Sequence, residues 1–415
     1  GDVPSLVAVA RRADGDRPAG EARVAVVPRE AGGVGVSAWI AGHAHAVPAS
    51  RFGAGPWSLE PQVVEALLRK MRERGIPLRE FAGAAPRAGL RTGLNDAFVI
   101  DGAAREEIVR AHPAAEALLR PYLRGQDVER WTTGWAGLWI ILLGSADGER
   151  RPWTGLPDPE AESAFRAAYP SLYAHFKGFE DRLRIRQDGG THWWELRGPA
   201  RPEPFDQPRI VYPDVGWTPA FALDTAGHVP GGNVGVLPTD SPWLTAVLNS
   251  PALWGFLWRS ANHGRDEAIR FFGQMVETLP VAPPTPEMEA DAAASVPRLA
   301  VLSAERRAVA AELFRWLRSE YGVAQPGARL ESFADLNATE FVDEVRRRRP
   351  RKADPLTPRE VGMLRNAHAE VAPRMTAVGA KIAGLERRLA QLAARAYGLT
   401  PQEVELLGAA LPAGR

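Results

Sequence analysis

The chain has 415 residues, 45% of them hydrophobic, with a formal net charge of +1 and no cysteine. That length suits two or three domains with sizeable cores, and the absence of thiols excludes disulfides and thiolate metal sites. No run reaches the roughly 18 apolar residues of a membrane helix, and Gly1-Asp2-Val3-Pro4 lacks the charged-then-apolar pattern of a signal peptide, so the sequence reads as cytoplasmic, with no membrane partner.

In chain order, residues 5–10 and 22–27 read as two strands around a polar turn, a hairpin pattern. A start inside an apolar strand, without Met, suggests a fragment that begins where another domain ends. Within 60–74, Val63, Val64, Leu67, Leu68 and Met71 recur at helical spacing, and Gly75-Ile76-Pro77 ends the helix. From 81 to 284 short β-rich runs are punctuated by Gly, Pro and Asn. Strands are clearest at 138–143, 209–212 and 220–223; helices are expected at 161–179 and 241–259. Val281-Ala282-Pro283-Pro284-Thr285-Pro286 reads as a linker. Beyond it, 287–321, 332–347 and 357–397 carry helical spacing, the last with the register Ile382, Leu385, Leu389, Leu392. Thr400 and Pro401 are placed as N-cap and first residue of a final helix. The expected fold is a mixed α+β chain. Residues 81–284 form a largely antiparallel, β-rich domain, and 285–415 a helical bundle or coiled-coil arm.

Catalytic signatures are missing. There is no Asn/Asp-Pro-Pro-aromatic loop, no Walker loop and no Gly-x-Ser-x-Gly elbow. Gly32-Gly33-Val34-Gly35 lacks the spacing of a dinucleotide loop and reads as a turn. His43 and His45, two apart in a strand, would point the same way but lack a third metal ligand. Asp158 with Glu160, and Asp214, weakly resemble nuclease carboxylates without the partner lysine. The chain alone is therefore read as a non-enzyme without its own cofactor or metal. Near-neutral charge argues mildly against a nucleic-acid binder. The positive charge is almost all arginine, which suits bidentate contacts to guanine and phosphate but also follows from GC-rich codons.

Several segments are not generic. They are Gly89-Leu90-Arg91-Thr92-Gly93-Leu94-Asn95-Asp96-Ala97-Phe98-Val99-Ile100-Asp101, Pro121-Tyr122-Leu123-Arg124-Gly125-Gln126-Asp127-Val128-Glu129-Arg130-Trp131, His192-Trp193-Trp194-Glu195-Leu196-Arg197, Pro208-Arg209-Ile210-Val211-Tyr212-Pro213, Val247-Leu248-Asn249-Ser250-Pro251 and Glu277-Thr278-Leu279-Pro280-Val281. Ala396-Tyr397-Gly398-Leu399-Thr400 stands near the end. In this order they resemble the TaqI-like specificity domain of type IIG restriction–modification enzymes and related phage-defence adenine methyltransferases, well over roughly residues 81–284. The resemblance implies that residues 1–80 are the tail of a methyltransferase domain, whose catalytic motifs and S-adenosylmethionine site lie outside this chain. It also implies sequence-specific recognition of double-stranded DNA. The parent would methylate adenine N6, with or without an endonuclease.

On physical grounds Arg91, Thr92 and Asn95 sit in a segment that is either a tight turn or a phosphate cradle. Arg124 has the same two readings, with Asp127 as a pairing partner for it or for Arg130. Arg182, Arg184 and Arg186 alternate with Leu183 and Ile185, so a strand would place all three on one face, along a groove or in solvent. Arg197 and Arg209 are further basic candidates. Trp193 and Trp194 in a strand would face opposite sides, leaving Trp194 for packing or for DNA. Asn262, Arg265 and Arg270 form another contact loop, and the basic run 346–352 is either a phosphate contact or a surface link. The alternative function is a protein-interaction module, with the C-terminal helices docking a methyltransferase subunit or a second copy.

Overall fold

The computed structural model describes residues 20–25, 36–52, 57–144, 151–197, 206–261, 263, 267–409 and 411. The strand expected at 5–10, the glycine turn at 32–35, Asn262 and Arg265 lie outside them. The fold is mixed α+β, with mostly antiparallel sheets and long C-terminal helices. No helix of the described residues is long and apolar enough to cross a membrane.

Near the start, the strand Glu21–Val24 pairs antiparallel with His45–Pro48 across the helix Val36–His43. The two histidines therefore do not share a strand. His43 closes the helix, stacked on Trp39, and His45 bonds the Leu59 carbonyl. Among the described residues no group of three or more His, Asp or Glu is placed to hold a metal ion. The helix Gln62–Arg74 buries Val64, Leu67, Leu68 and Met71 as expected, whereas Val63, expected with them, is exposed.

Two four-stranded sheets follow. One has the order Ala222–Asp224, Arg209–Pro213, Val234–Leu237, Arg87–Ala88, all antiparallel. The other has the order Val229–Pro230, Leu119–Leu123, Trp139–Ile141, Val99–Ile100, with only its first pair parallel. Two predicted helices are each broken. The first splits into Asp158–Ala168 and Pro170–Lys177, because Pro170 disfavours a helical Tyr169. The second splits into Pro242–Leu248 and Pro251–Ser260. There Asn249 leaves the helix to bond both backbone groups of Phe221, and Ser250 caps the next helix through Leu253 N.

The C-terminal part is helical. Thr285 caps the 36-residue helix Pro286–Tyr321, which ends at Gly322 in a left-handed conformation. The helix Ala338–Arg348 opens with a capping box between Asn337 and Glu340. Thr357 and Glu360 cap Pro358–Ala396 in the same way, and Thr400 and Glu403 cap Pro401–Gly408. The ion pairs Arg374–Glu305 and Arg388–Asp291 run in opposite senses along the two long helices, which are therefore antiparallel.

The linker expected at 281–286 begins buried. Val281 and Ala282 are fully inaccessible, Pro280–Val281 pairs with Ile76–Pro77, and Trp243 donates to the Ala282 carbonyl. One apolar core crosses residue 284. It joins Leu67, Trp243, Leu253 and Tyr397 to Leu299 and Ile382. Trp131 and Arg130 both reach Glu386 of the last long helix, at 2.6 and 3.1 Å, so the β-rich part is fastened to the helices by polar contacts as well. Residues 97–196 surround a second core rich in aromatic rings, and the outer halves of the long helices a third, around Phe333 and Phe341.

Candidate nucleic-acid interface

Three loops far apart in sequence meet at one end of the two sheets. Arg87–Ala88 runs antiparallel to Val234–Leu237, so the chain leaving it passes the start of that strand: Gly89 N donates to Val234 O and Leu90 N to Pro230 O, at 2.8 and 2.7 Å. Leu119–Leu123 runs parallel to Val229–Pro230, so both strands exit at this same end, where Gly231 N donates to Leu123 O. Asn233 is the junction. Its side-chain oxygen accepts from Gly125 N at 3.1 Å, and its carbonyl accepts from Asp214 N at 3.0 Å. A fourth element joins through Asp214, whose carbonyl accepts from Phe271 N, extending the ribbon of Val215–Gly216 and Ile269–Arg270.

This rim gathers three of the described arginines that the sequence singled out, Arg91, Arg124 and Arg270. Arg91 is exposed at the Gly232 turn, and no carboxylate of the described residues pairs with it. Arg124 lies on the other side of Asn233. It donates through Nε and Nη2 to Asp127, at 2.9 and 2.8 Å, while Asp127 also accepts from the Arg124 backbone N–H. The hydrogen bond to Asp127 raises the Arg124 pKa despite partial desolvation. The choice left open for Asp127 thus falls to Arg124, and Arg130 goes to Glu386. Arg270 is exposed on the ribbon, with its guanidinium 5.3 Å from the Phe272 ring centre.

The segment 91–95 is a tight turn. Gly93 has φ +69°, Thr92 is buried, Thr92 Oγ1 donates to Asn95 Oδ1 at 2.6 Å, and Leu94 N donates back to Thr92 Oγ1. Asn95 stays exposed. Against this turn pack residues 182–197, and here the strand reading is corrected. Glu180–Arg184 is a helix, with Glu180 and Asp181 in its first turn and Arg182 and Arg184 in its last, an arrangement that complements the helix dipole. Arg182 pairs with Asp96 and Arg184 with Glu180, both at 2.8 Å or less. Arg186 turns inward and donates to the carbonyls of Thr92, Trp193 and Glu195. Burial pulls its pKa down to about 10, against Asp188 and Glu195, so it stays charged at neutral pH. Arg186 is thus a brace beneath the turn, and Arg197 stands exposed beside Asp188.

Two candidates are withdrawn from any surface. Trp194 is inaccessible, in a turn and not a strand, stacked between Phe165 (5.1 Å) and His192 (4.8 Å). Trp193 beside it is also buried, so both rings pack. Arg209 is 3% exposed. It pairs with Asp224 at 3.4 Å and donates to His228 O, and His228 Nδ1 lies 2.8 Å from Asp224. Burial pushes the Asp224 carboxyl up, but the His228 hydrogen bond and the charges of His228 and Arg209 outweigh it and hold the pKa below its usual value. Other motif residues are likewise structural, Tyr397 among them, whose hydroxyl donates to Pro280 O. Asp158 bonds His192. In the basic run, Arg346 pairs with Asp343, and Arg347 and Arg348 with buried Glu344.

Sequence reasoning passed over Asn233 and Phe272. The turn signature Pro230-Gly231-Gly232-Asn233 was visible for the first. For Phe272 the doublet Phe271-Phe272 in a β-run offered only the alternation of faces.

The family model of a domain of unknown function (DUF8810) matches residues 285–393. Among solved structures, the chain is similar to the type IIL restriction–modification enzyme MmeI in complex with DNA, at 14% identity and a TM-score of 0.39. That match covers 85% of this chain and 40% of the other, so the chain spans less than half the length of that enzyme.

Proposed function

We propose that this chain reads duplex DNA for an adenine methyltransferase whose catalytic domain, with its S-adenosylmethionine, is carried elsewhere. The observation that supports this is the convergence of the loops at 89–95, 121–127 and 230–233, two of them motif segments, on one rim that presents Arg91, Arg124 and Arg270. Arginines spaced along a rim can neutralise successive phosphates and fix a duplex in register, while a few side chains reach base edges. The target adenine must leave the stack to be methylated, so a reader that grips the flanking duplex sets which base is extruded.

The test is salt-dependent binding of the whole chain to mixed-sequence duplex DNA. Affinity falls as salt rises, with a log–log slope of about −0.9 per phosphate contacted, and Arg91→Ala and Arg270→Ala each lower that slope by about one. Binding that ignores salt, or slopes untouched by both substitutions, refutes the reading. Chain supplied with DNA and methyl donor transfers no methyl group on this proposal; turnover by pure chain overturns it. A stable dimer indifferent to DNA in light scattering favours the interaction-module alternative.

A further inference from the structure

We propose that Phe272, held under Arg270, is a wedge that enters a base step of the bound duplex. This rests on the DNA-reading proposal above and names a device within it. Phe271 and Phe272 face opposite ways. Phe271 is buried, its ring 5.8 Å from those of Tyr212 and Phe221, while Phe272 is 59% exposed. An exposed aromatic ring by itself carries little information. This one differs in three respects.

First, its backbone is rigid. Phe272 N donates to Arg270 O, and its carbonyl accepts from Met275 N and Val276 N at the start of the helix Gly273–Glu277. The ring is therefore presented on a fixed stem, anchored by the buried Phe271, and little conformational entropy opposes insertion. Second, it has apolar company on the ribbon: Val215, whose Cα is the register partner of Arg270, is 38% exposed. Third, the charge around it suits a polyanion. The Arg270 guanidinium lies 5.3 Å from the ring centre, and no carboxylate of the described residues is within 4.0 Å of it. The ribbon joins the rim of Arg91 and Arg124 through Asp214 and Asn233. A flat ring beside a cation that no described carboxylate pairs offers a base a stacking face and the adjoining phosphate a counter-charge at once. A wedge of this kind unstacks one step and kinks the duplex.

The experiment uses the full chain and duplexes that the wild-type chain recovers from a random-sequence library, with 2-aminopurine substituted at each position in turn. With wild type, fluorescence rises at one step on binding, because the probe there loses its stacking neighbour. With Phe272→Ala that rise is lost and affinity falls about 5- to 100-fold, while the salt slope is unchanged because no charge has been removed. Arg270→Ala lowers the slope by about one. If Phe272→Ala keeps both the rise and the affinity, the wedge is wrong while DNA reading stands. If wild type recovers no duplex at all, DNA reading fails and takes the wedge with it. If Phe272→Ala spares DNA binding but releases a methyltransferase chain in pull-down, the patch is a protein contact and the proposal is overturned. Circular dichroism and the urea midpoint stay at wild-type values, since Phe272 buries little of its ring.

Discussion

Arg209 and Arg91 are both arginines in motif segments, but Arg209 is buried against Asp224 whereas Arg91 is exposed. Replacing Arg209 with Ala leaves Asp224, whose side chain is fully inaccessible, without its guanidinium, and leaves the His228 carbonyl without a charged donor. Removing one partner of a buried pair costs about 3–5 kcal/mol. Asp224 keeps His228 at 2.8 Å and the Ala226 N–H at 3.2 Å, so its charge is not stranded and the low end, about 3 kcal/mol, is expected. Arg91→Ala removes an exposed side chain and costs no more than about 0.5 kcal/mol. Urea unfolding followed by tryptophan fluorescence reads the stability of both variants, and DNA titrations at several salt concentrations read the slope. Arg209→Ala unfolds at lower urea with its slope unchanged, and Arg91→Ala does the reverse. If Arg209→Ala costs less than about 1 kcal/mol and flattens the salt dependence, the buried-pair assignment is wrong.

Three further outcomes follow from the same packing. The ionised Asp224 is favoured by the fold, so its contribution is complete above the unfolded carboxyl pKa of about 3.9 and is lost as pH falls through its lower folded value; urea midpoints of wild type then fall more steeply below that pH than those of Asp224→Asn. Gly89→Ala would put a Cβ 2.5 Å from Pro230 O, a backbone atom that accepts from Leu90 N, so the two segments must part; a loss of about 1–3 kcal/mol is expected, together with weaker DNA binding, and a variant as stable as wild type would mean that the crossing is looser than described. Trp194→Ala removes a ring stacked on both faces and costs about 3–5 kcal/mol, with the DNA affinity of the folded variant unchanged; a loss of affinity at wild-type stability would return Trp194 to the interface.

Local signals carried the long elements well. Val64, Leu67, Leu68 and Met71 mark their helix, and Thr285, Thr357 and Thr400 each begin one as caps. The breaks in the two helices expected to be continuous were missed although their signals were present, Pro170 after Tyr169 and Ser250-Pro251, where a cap is followed by a first-turn proline. The arginine alternation at 182–186 misled because period two over five residues cannot exclude one helical turn; the acidic start and basic end of that turn were the better guide. What stayed hidden was non-local. Nothing near Leu123 announces a parallel partner at Pro230, and nothing near Gly89 announces the Pro230 carbonyl against it. The rim exists only through such pairings, so its members could be named singly while their meeting, and the junction at Asn233, could not.

The charge balance and the rim bear on one another. A net charge of +1 offers no long-range field to attract DNA. Locally, Arg182, Arg184 and Arg197 lie against carboxylates, Arg124 is clamped by Asp127, and Arg186 and Arg209 are turned into the protein. Among the described candidates that leaves Arg91 and Arg270 without a carboxylate, with Arg124 able to share its guanidinium. Two or three phosphates give a log–log salt slope near −2 to −3, far shallower than the slope near −10 of a reader with many phosphate contacts. On the DNA-reading proposal, affinity of this chain alone is then weak, and a shape-dependent contact such as the proposed Phe272 wedge would contribute a larger share of it. A steep slope for the isolated chain, near −6 or beyond, would mean that the paired arginines exchange their carboxylates for phosphate on binding, and the ion pairs around Asp96, Glu180 and Asp127 would then be a resting arrangement that DNA displaces.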